Sequence, residues 1–234
     1  MSEIKLTKDS IENAILTDGK LVGGYVDGNG YISAKGNGTI VFGDSTNGGV
    51  IDASGIGSFA HGYANSGTIS VKGDGAHAEG YALSGTIDAS GNGAHAEGYN
   101  TKALANAAHA EGRDTSAEGD YSHAEGYQTY AFGTASHAEG KSLNKCSSSL
   151  VSQTDASIIS NWVGTDPEVN TRFTLAKGEG AHAEGLNNLA LGEHAHAEGR
   201  NNIAVGDRIH VEGSKNIALT AAHVEGGGNI GARS

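Results

Sequence analysis

The tetrapeptide His-Ala-Glu-Gly recurs at a fixed spacing, and this repeat constrains the fold more than any other feature of the sequence. Successive copies stand one 14-residue period apart from His95 to His137 and again from His182 to His210, and the last step is one residue shorter. A fixed period is typical of solenoids, in which stacked copies of one unit bury a continuous core. The copies begin at His77, His95, His109, His123, His137, His182 and His196, with His-Val-Glu-Gly at His210 and His223 and a degenerate copy at His61.

Each 14-residue repeat divides into two halves of seven residues, and each half ends in a glycine. The segment 108–112 represents the first half, and the segment 202–206, Asn-Ile-Ala-Val-Gly, represents the second. Alternation along a strand places both alanines and the glycine of segment 108–112 on one face, and His109 and Glu111 on the other. Because small residues share one face in both halves, we expect that face to line the inside of a thin roll. A helix is excluded, since a glycine at every seventh residue would cost about 1 kcal/mol each.

The period is longer in the first part of the chain. Reference glycines stand at positions 24, 43, 62, 80 and 98, in steps of 19, 19, 18 and 18 residues. This pattern indicates wider coils that continue into the narrow ones. The chain holds 38 glycines, and their regular placement argues against a disordered glycine-rich segment. The sequence therefore predicts an all-β solenoid with 14-residue coils and, in its N-terminal part, coils of 18–19 residues.

One step in the repeat is much longer than the others. His137 and His182 are 45 residues apart, which is 14 plus 31, so a 31-residue excursion leaves the stack within 141–178. Residues 156–162 and 171–175 have the pattern of two strands around a turn, and we predict a projecting β-hairpin. Insertions in repeat proteins often lie on the binding face. Since aromatic residues and arginine are enriched in binding hot spots, Trp162, Arg172 and Phe173 are the predicted receptor contacts, although Trp162 also suits the hairpin's own core.

These observations divide the chain into five parts. Residues 1–20 lack the repeat and form an N-terminal cap or attachment segment, in which 10–16 suit either a short helix or a strand. Residues 21–98 form the wide-coil solenoid, 99–140 the narrow roll, 141–178 the inserted hairpin, and 179–234 the continued narrow roll.

Charge and composition exclude several classes of function. The net charge is −12, with 15 basic and 27 acidic residues, which opposes binding to nucleic acid and to anionic membranes. No apolar run approaches the ~20 residues of a membrane span. The first residues have no apolar core of a signal peptide, so we expect synthesis in the cytosol. The single cysteine, Cys146, is expected to be a free thiol.

Two sets of residues resemble known repeats. The half-repeat 202–206 is similar to the head repeats of trimeric autotransporter (YadA-like) adhesins, which are trimeric left-handed parallel β-rolls. The segment 121–127, Tyr-Ser-His-Ala-Glu-Gly-Tyr, resembles the repeats of bacteriophage tail and appendage fibre proteins. The resemblance is strong over 98–140 and 179–226 and weaker over 20–98. It implies a homotrimeric, left-handed roll. The chain departs from the adhesin pattern where His and Glu replace aliphatic residues, and we expect neither a membrane anchor nor an autoproteolytic domain in it.

Four interpretations of the His and Glu columns compete. A metal ladder is suggested by His194-Ala-His196, because alternation on a strand would put both imidazoles on one face, where three chains could hold an ion on a three-fold axis. Catalysis is disfavoured because an active site is a unique environment, whereas this pair is repeated. No cofactor is expected otherwise. The third interpretation is a solvated face, and the fourth is an interchain ladder in which His of one chain bonds Glu of its neighbour.

We favour the interchain ladder, which makes these columns the predicted trimer interface. Its residues are His77, Glu79, His95, Glu97, His109, Glu111, His123, Glu125, His137, Glu139, His182, Glu184, His196, Glu198, His210, Glu212, His223 and Glu225.

Three hypotheses for the function follow. The first is a structural fibre, spike or appendage of a bacteriophage or phage-like particle, joined to other virion proteins through its N-terminus and involved in attachment to a host receptor or glycan. The second is the head of a trimeric adhesin on a bacterial surface. The third is a carbohydrate-processing tailspike, for which Asp155, Asp166 and Glu168 are the acidic residues in the excursion. The first and second are not enzymes, and we favour the first.

Overall fold

The computed structural model describes residues 4–6, 15–17, 19–27, 29–144, 155, 173–220, 223–228 and 230–231. The chain divides into an N-terminal unit, Met1–Arg113, and a C-terminal unit, Asp114–Ser234. Each unit is a parallel β-solenoid in which two sheets face each other and successive strands of the chain alternate between them. We call the sheet with the His-Ala-Glu-Gly strands the His–Glu sheet and the other the opposing sheet.

The N-terminal unit contains thirteen of the described strands. They are β1 (Ile4–Leu6), β2 (Ile15–Thr17), β3 (Lys20–Val26), β4 (Tyr31–Ala34), β5 (Ile40–Thr46), β6 (Val50–Ala53), β7 (Phe59–Asn65), β8 (Thr68–Val71), β9 (His77–Leu83), β10 (Thr86–Ala89), β11 (His95–Tyr99), β12 (Lys102–Ala103) and β13 (His109–Arg113). The His–Glu sheet has the order β2-β3-β5-β7-β9-β11-β13, and the opposing sheet has the order β1-β4-β6-β8-β10-β12.

The C-terminal unit also contains thirteen of the described strands. They are β14 (Ser116–Ala117), β15 (His123–Tyr127), β16 (Thr129–Ala131), β17 (His137–Lys141), β18 (Thr174–Ala176), β19 (His182–Leu186), β20 (Leu189–Ala190), β21 (His196–Arg200), β22 (Ile203–Ala204), β23 (His210–Val211), β24 (Ile217–Ala218), β25 (His223–Val224) and β26 (Ile230–Gly231). The His–Glu sheet has the order β15-β17-β19-β21-β23-β25, and the opposing sheet has the order β14-β16-β18-β20-β22-β24-β26.

The strand registers confirm the periods predicted from the sequence. In the N-terminal unit Gly24 pairs with Gly43, Gly43 with Gly62, and Gly62 with Gly80, which reproduces the predicted steps between the reference glycines of the wide coils. His95 pairs with His109, as the shorter period of the narrow coils predicts. In the C-terminal unit each histidine of the repeat pairs with the histidine of the next coil, including the pair formed by β17 and β19 across the long step. Equivalent side chains therefore stack in columns.

The inside of each roll is built from small residues, as alternation predicts. Ala78, Ala96 and Ala110 of the His–Glu sheet are fully buried, and so are Ala190 and Ala204 of the opposing sheet. The wide coils have room for a larger residue at one inner position, where Ile32, Ile51, Ile69 and Ile87 are fully buried. The narrow coils, which have four or five residues fewer, carry Thr or Asn at this position, as at Thr101 and Asn188.

Buried asparagines form a hydrogen-bonded column in the C-terminal unit. The backbone N–H of Asn202 donates to Asn188 Oδ1 (2.8 Å), and the N–H of Asn216 donates to Asn202 Oδ1 (2.9 Å). The side-chain amide of Asn202 donates to the carbonyls of Glu198 and Gly213. Each asparagine therefore satisfies backbone groups of two coils at the turn between the sheets, where water is excluded.

The N-terminal strands close the first coil. Strand β1 pairs antiparallel with β4, and β2 pairs antiparallel with β3, so each sheet of the N-terminal unit begins with a strand that runs against the parallel stack. Of the segment 10–16, which suits either a helix or a strand by its sequence, residues 15 and 16 belong to β2, and residues 10–14 lie outside the described residues. The edge of each sheet is therefore a strand of only three residues, and such short edge strands offer few backbone groups for pairing with another chain.

The outer face of the opposing sheet is apolar in the C-terminal unit, and from Tyr130 to Ile203 it is buried within the chain. Tyr130, Leu175, Leu189 and Ile203 follow one another in register on this face, and the last three are fully buried. Phe173 packs into the same cluster. Within the inserted segment, Asp155 pairs with Lys177 at 2.6 Å. Both Phe173 and Asp155 therefore lie against the roll.

Two predictions about the excursion need correction. Thr174, Leu175 and Ala176 form β18, which pairs in parallel with β16 and β20, so the second predicted hairpin strand belongs to the sheet of the roll. Phe173 is 5% exposed, so its side chain is not available as a receptor contact. The remainder of the predicted hairpin, including Trp162 and Arg172, lies outside the described residues.

Candidate functional site

The outer face of the His–Glu sheet carries a column of stacked imidazoles in each unit. In the N-terminal unit His77, His95 and His109 have ring centroids 4.6 and 4.8 Å apart, with planes inclined by 7° and 1°. In the C-terminal unit the column runs from His123 to His223, with neighbouring centroids 4.7–4.8 Å apart. Strand pairing in register imposes this stacking, because parallel strands place equivalent side chains one strand spacing apart.

A glutamate lies beside each histidine of the column, two residues later on the same strand. The distance from Nε2 to Oε2 is 3.4 Å for His77 and Glu79, and 3.8 Å for His196 and Glu198. These distances are too long for hydrogen bonds, since N–H···O hydrogen bonds are about 2.7–3.2 Å long. The His–Glu pairs therefore form within one chain, while the interchain ladder stays a prediction.

Several imidazole nitrogens of the column are buried without a hydrogen bond. Within the described part of the chain, this holds for the Nε2 atoms of His77, His95, His137, His182, His196 and His210, each of which has almost no contact with solvent. A buried polar atom without a hydrogen bond costs about 1–3 kcal/mol. The face is therefore incomplete as it stands, and a ligand or a second chain that meets these nitrogens would be stabilised.

Burial lowers the pKa of four histidines of the column, His77, His137, His182 and His196, below the usual value of 6.5. The adjacent imidazole in the stack lowers the pKa further, because two positive charges would lie on neighbouring strands, and the nearby glutamates partly offset both effects. These imidazoles are consequently neutral at pH 7.

This shift predicts that acid destabilises the fold. Below pH 6.5 the histidines of the unfolded chain bind protons, while the histidines with a lowered pKa in the folded chain resist protonation. The free energy of unfolding should therefore decrease as the pH falls from 7.5 through 6.5 to 5.5, and level off only below the folded pKa. Urea denaturation at these pH values measures the trend, and His182→Gln should make it shallower. A stability that is constant or rises toward pH 5.5 would show that the column does not resist protonation.

His194 does not share a face with His196, which corrects the predicted metal pair. His194 has a φ of 54° and lies in the turn before β21, where its N–H donates to the carbonyl of Glu179. Its ring contacts the position of Gly180 in the preceding coil, and its Nδ1 is 3.4 Å from Glu193. The alternation of a strand does not apply across this turn. His196 belongs to the column, and His194 does not.

A groove of 770 Å³ runs beside the column in the N-terminal unit. Its polar lining consists of Asp44, His61, Tyr63, Glu79 and Glu97, and its remaining lining is formed by glycines of the reference column. The groove was not predicted from the sequence. The signal for it is the tyrosine that follows the reference glycine at positions 63, 81 and 99 in successive coils.

The tyrosines beside the groove form a second stack. The rings of Tyr63 and Tyr81 are 5.2 Å apart and nearly parallel, and the Tyr99 ring follows at 5.5 Å. The guanidinium of Arg113 lies 4.8 Å from the centre of the Tyr99 ring. The carboxylates and tyrosines together give this face groups that accept hydrogen bonds and contact cations.

The acidic residues of the excursion do not form a pair in the described structure. Asp155 is engaged by Lys177, and Asp166 and Glu168 lie outside the described residues. The carboxylates of the groove, Glu79 and Glu97, occupy equivalent positions on adjacent strands of one sheet.

No helix in the described part of the chain has the length and apolar character needed to cross a membrane. No model of a known protein family matches the chain, and no curated protein matches it either.

Proposed function

We propose that the chain is a structural, non-enzymatic protein of a bacteriophage or phage-like particle, in which a homotrimer of left-handed β-rolls forms a fibre, spike or appendage. The observation that carries the proposal is the in-register repetition within each unit, where every coil presents the same residues to the next. In such a stack each coil is stabilised by its neighbours, so each unit can be stable although the chain has few large apolar residues. Repetition of His and Glu in coil after coil suits architecture better than catalysis.

The His–Glu face is the surface that we assign to the trimer interface. Its imidazole and carboxylate side chains are about two-thirds buried already in a single chain, as for His95 and Glu97 with side-chain exposures of 35% and 36%. The exposed third of each imidazole and carboxylate is the part that two further copies of the chain would cover at every coil.

Attachment to a host is the second part of the proposal. Trp162 and Arg172 of the excursion stay the candidates for contact with a host receptor or glycan, because the groove beside Glu79 lies on the face that we assign to the trimer interface. Three copies per particle element would convert weak contacts into firm attachment through avidity. The N-terminal segment, residues 1–20, is the proposed link to other virion proteins.

The identity of the neighbouring genes tests the assignment to a particle. We expect genes for tail and baseplate proteins on both sides, and we expect the chain in purified particles by mass spectrometry. A reading frame that adds a signal peptide before this chain and a coiled coil with a membrane anchor after it would instead support the adhesin head on a bacterial surface.

A degradation assay separates attachment from carbohydrate processing. Purified protein incubated with host-surface polysaccharide should leave the chain length of the polysaccharide unchanged, because Glu79 and Glu97 belong to a column repeated in coil after coil, whereas an active site is a unique environment. A glycosidase needs one carboxyl group on each side of the scissile bond. The tailspike hypothesis would be favoured if the wild-type protein shortened the polysaccharide and the Glu79→Gln variant did not.

A further inference from the structure

The stacked columns bring nitrogen and oxygen ligands together at regular positions. A histidine, the glutamate two residues later and the histidine of the next coil each offer one ligand atom, and these three atoms lie within 4.8 Å of one another. Groups that share no residue are His95–Glu97–His109 in the N-terminal unit and, in the C-terminal unit, His137–Glu139–His182 and His196–Glu198–His210.

We propose that the His–Glu column binds transition-metal ions of the zinc class, with each ion held by two imidazoles of successive coils and the carboxylate between them. All three ligands come from one chain, so binding does not depend on the proposed trimer or on its role in a particle.

The hydrogen-bonding state of the nitrogens supports this proposal. The Nε2 atoms of His137, His182, His196 and His210 are buried and make no hydrogen bond within the described part of the chain. The nearest carboxylate oxygen to His196 Nε2 on its own strand is at 3.8 Å, a distance too long for a hydrogen bond. Zinc coordinates imidazole nitrogen at about 2.0–2.1 Å and carboxylate oxygen at about 2.0–2.2 Å, so one ion would satisfy all three atoms.

The imidazole rings can adjust to an ion. A tetrahedral ion requires its ligand atoms to be closer than one strand spacing, so two stacked rings must tilt toward each other. The column tolerates such tilts, since the rings of His196 and His210 are inclined by 32°, and those of His210 and His223 by 68°. The backbone register need not change.

The ligand type selects the class of ion. Metal binding requires neutral imidazole, which is the predominant form of histidine at pH 7.5. Two nitrogens and one oxygen suit zinc, cobalt, nickel or copper, whereas magnesium and calcium prefer oxygen ligands throughout. Because neighbouring groups compete for a shared histidine, such as His182, an occupied group prevents binding at the next.

X-ray absorption at the zinc edge tests the ligand set directly. The full-length protein is stripped with a chelator, dialysed at pH 7.5 and loaded with Zn²⁺ below saturation. We expect imidazole scattering from two nitrogens at about 2.0–2.1 Å and a carboxylate oxygen in the first shell. A first shell of oxygen atoms alone, or no retention of Zn²⁺ after dialysis, would overturn the proposal.

Matched variants locate the site. Calorimetric titration with Zn²⁺ should show that His196→Gln and Glu198→Gln each weaken binding at the 196–210 group by about tenfold or more. Loss of a residue that merely hydrogen-bonds a metal ligand already lowers metal affinity by about that factor. His194→Gln is the control. It is the same substitution as His196→Gln, made at a histidine that lies in the turn and outside the three groups named above. Far-UV circular dichroism verifies that each variant is folded. Equal affinity in all three variants, or an equal loss in His194→Gln, would overturn the assignment.

Discussion

Replacement of Gly80 by alanine should destabilise the N-terminal unit by about 4 kcal/mol or more, which is an exceptional cost for one methyl group. Gly80 has a φ of 130°, and a Cβ atom built there would lie 2.0 Å from the carbonyl oxygen of Gly98 in the next coil. That oxygen belongs to the backbone of a paired strand, so it cannot move aside as a flexible side chain would. Thermal and urea denaturation followed by far-UV circular dichroism measure the loss.

Gly75→Ala is the matched control in the same unit. Gly75 also has a positive φ, 64°, but a Cβ atom there meets nothing within 4 Å. Other coils place Ala107 and Ala135 at the equivalent turn position with φ values of 50° and 53°. Alanine at position 75 should therefore cost only about 1 kcal/mol, the penalty of the left-handed conformation. Similar losses in the two variants would mean that close packing of successive coils is not what requires glycine at position 80.

Replacement of Asn202 by alanine should cost about 3 kcal/mol. The fully buried side chain of Asn202 makes three hydrogen bonds, to the carbonyls of Glu198 and Gly213 and from the N–H of Asn216. Alanine removes all three and leaves the Asn216 N–H without its acceptor inside the roll. The free energy of unfolding from urea titration at constant pH measures the effect.

Asn202→Thr is the control for Asn202→Ala, because other coils carry threonine at this position. Thr129 donates from Oγ1 to the carbonyl of Glu125, which is equivalent to the bond from Asn202 to Glu198. Threonine should keep this one bond and lose about 1–2 kcal/mol. If alanine and threonine were equally tolerated, the asparagine column would contribute nothing to the stacking of the coils.

The sequence predicted the features that depend on period alone. Alternation assigned Ala110 to the inside and His109 and Glu111 to the outside, and the glycine spacing predicted which residues pair in successive coils. Both predictions are confirmed, because parallel in-register stacking repeats one local geometry and leaves little else to decide. The change from wide to narrow coils was also predicted, since the spacing of the reference glycines gives the number of residues per coil.

The predictions that failed concern a turn between strands and the one place where the period is interrupted. Alternation was extended from His196 back to His194, but His194 occupies a turn with positive φ. The sequence did contain a signal for this turn. In earlier coils the position equivalent to His194 is a glycine, which follows Asp74 and Asn92. The spacing of the repeats gives the length of the excursion but does not define where it ends before Gly178. The pairing of Thr129 with Thr174 now places that end before β18 and puts Phe173 against the roll.

The chemical features of the His–Glu face required coordinates. Sequence spacing indicates that imidazoles stack, but it does not reveal that Nε2 of His182 or His196 is buried without a hydrogen bond. The groove beside Tyr63 was missed because its lining comes from four coils, and a search for local motifs considers one coil at a time. Both features arise from the repetition of one strand, and both make this face the first surface to test for ligands.

Sedimentation equilibrium of the purified chain, freed of metal and held at pH 7.5, tests the proposed trimer. We expect a molar mass three times that of the 23.6 kDa chain, unchanged on dilution, because the proposed interface joins the His–Glu faces of three chains. Substitution of His182 and Glu184 by glutamine should shift the mass toward that of one chain at low concentration. A mass of 23.6 kDa at every concentration would contradict the account.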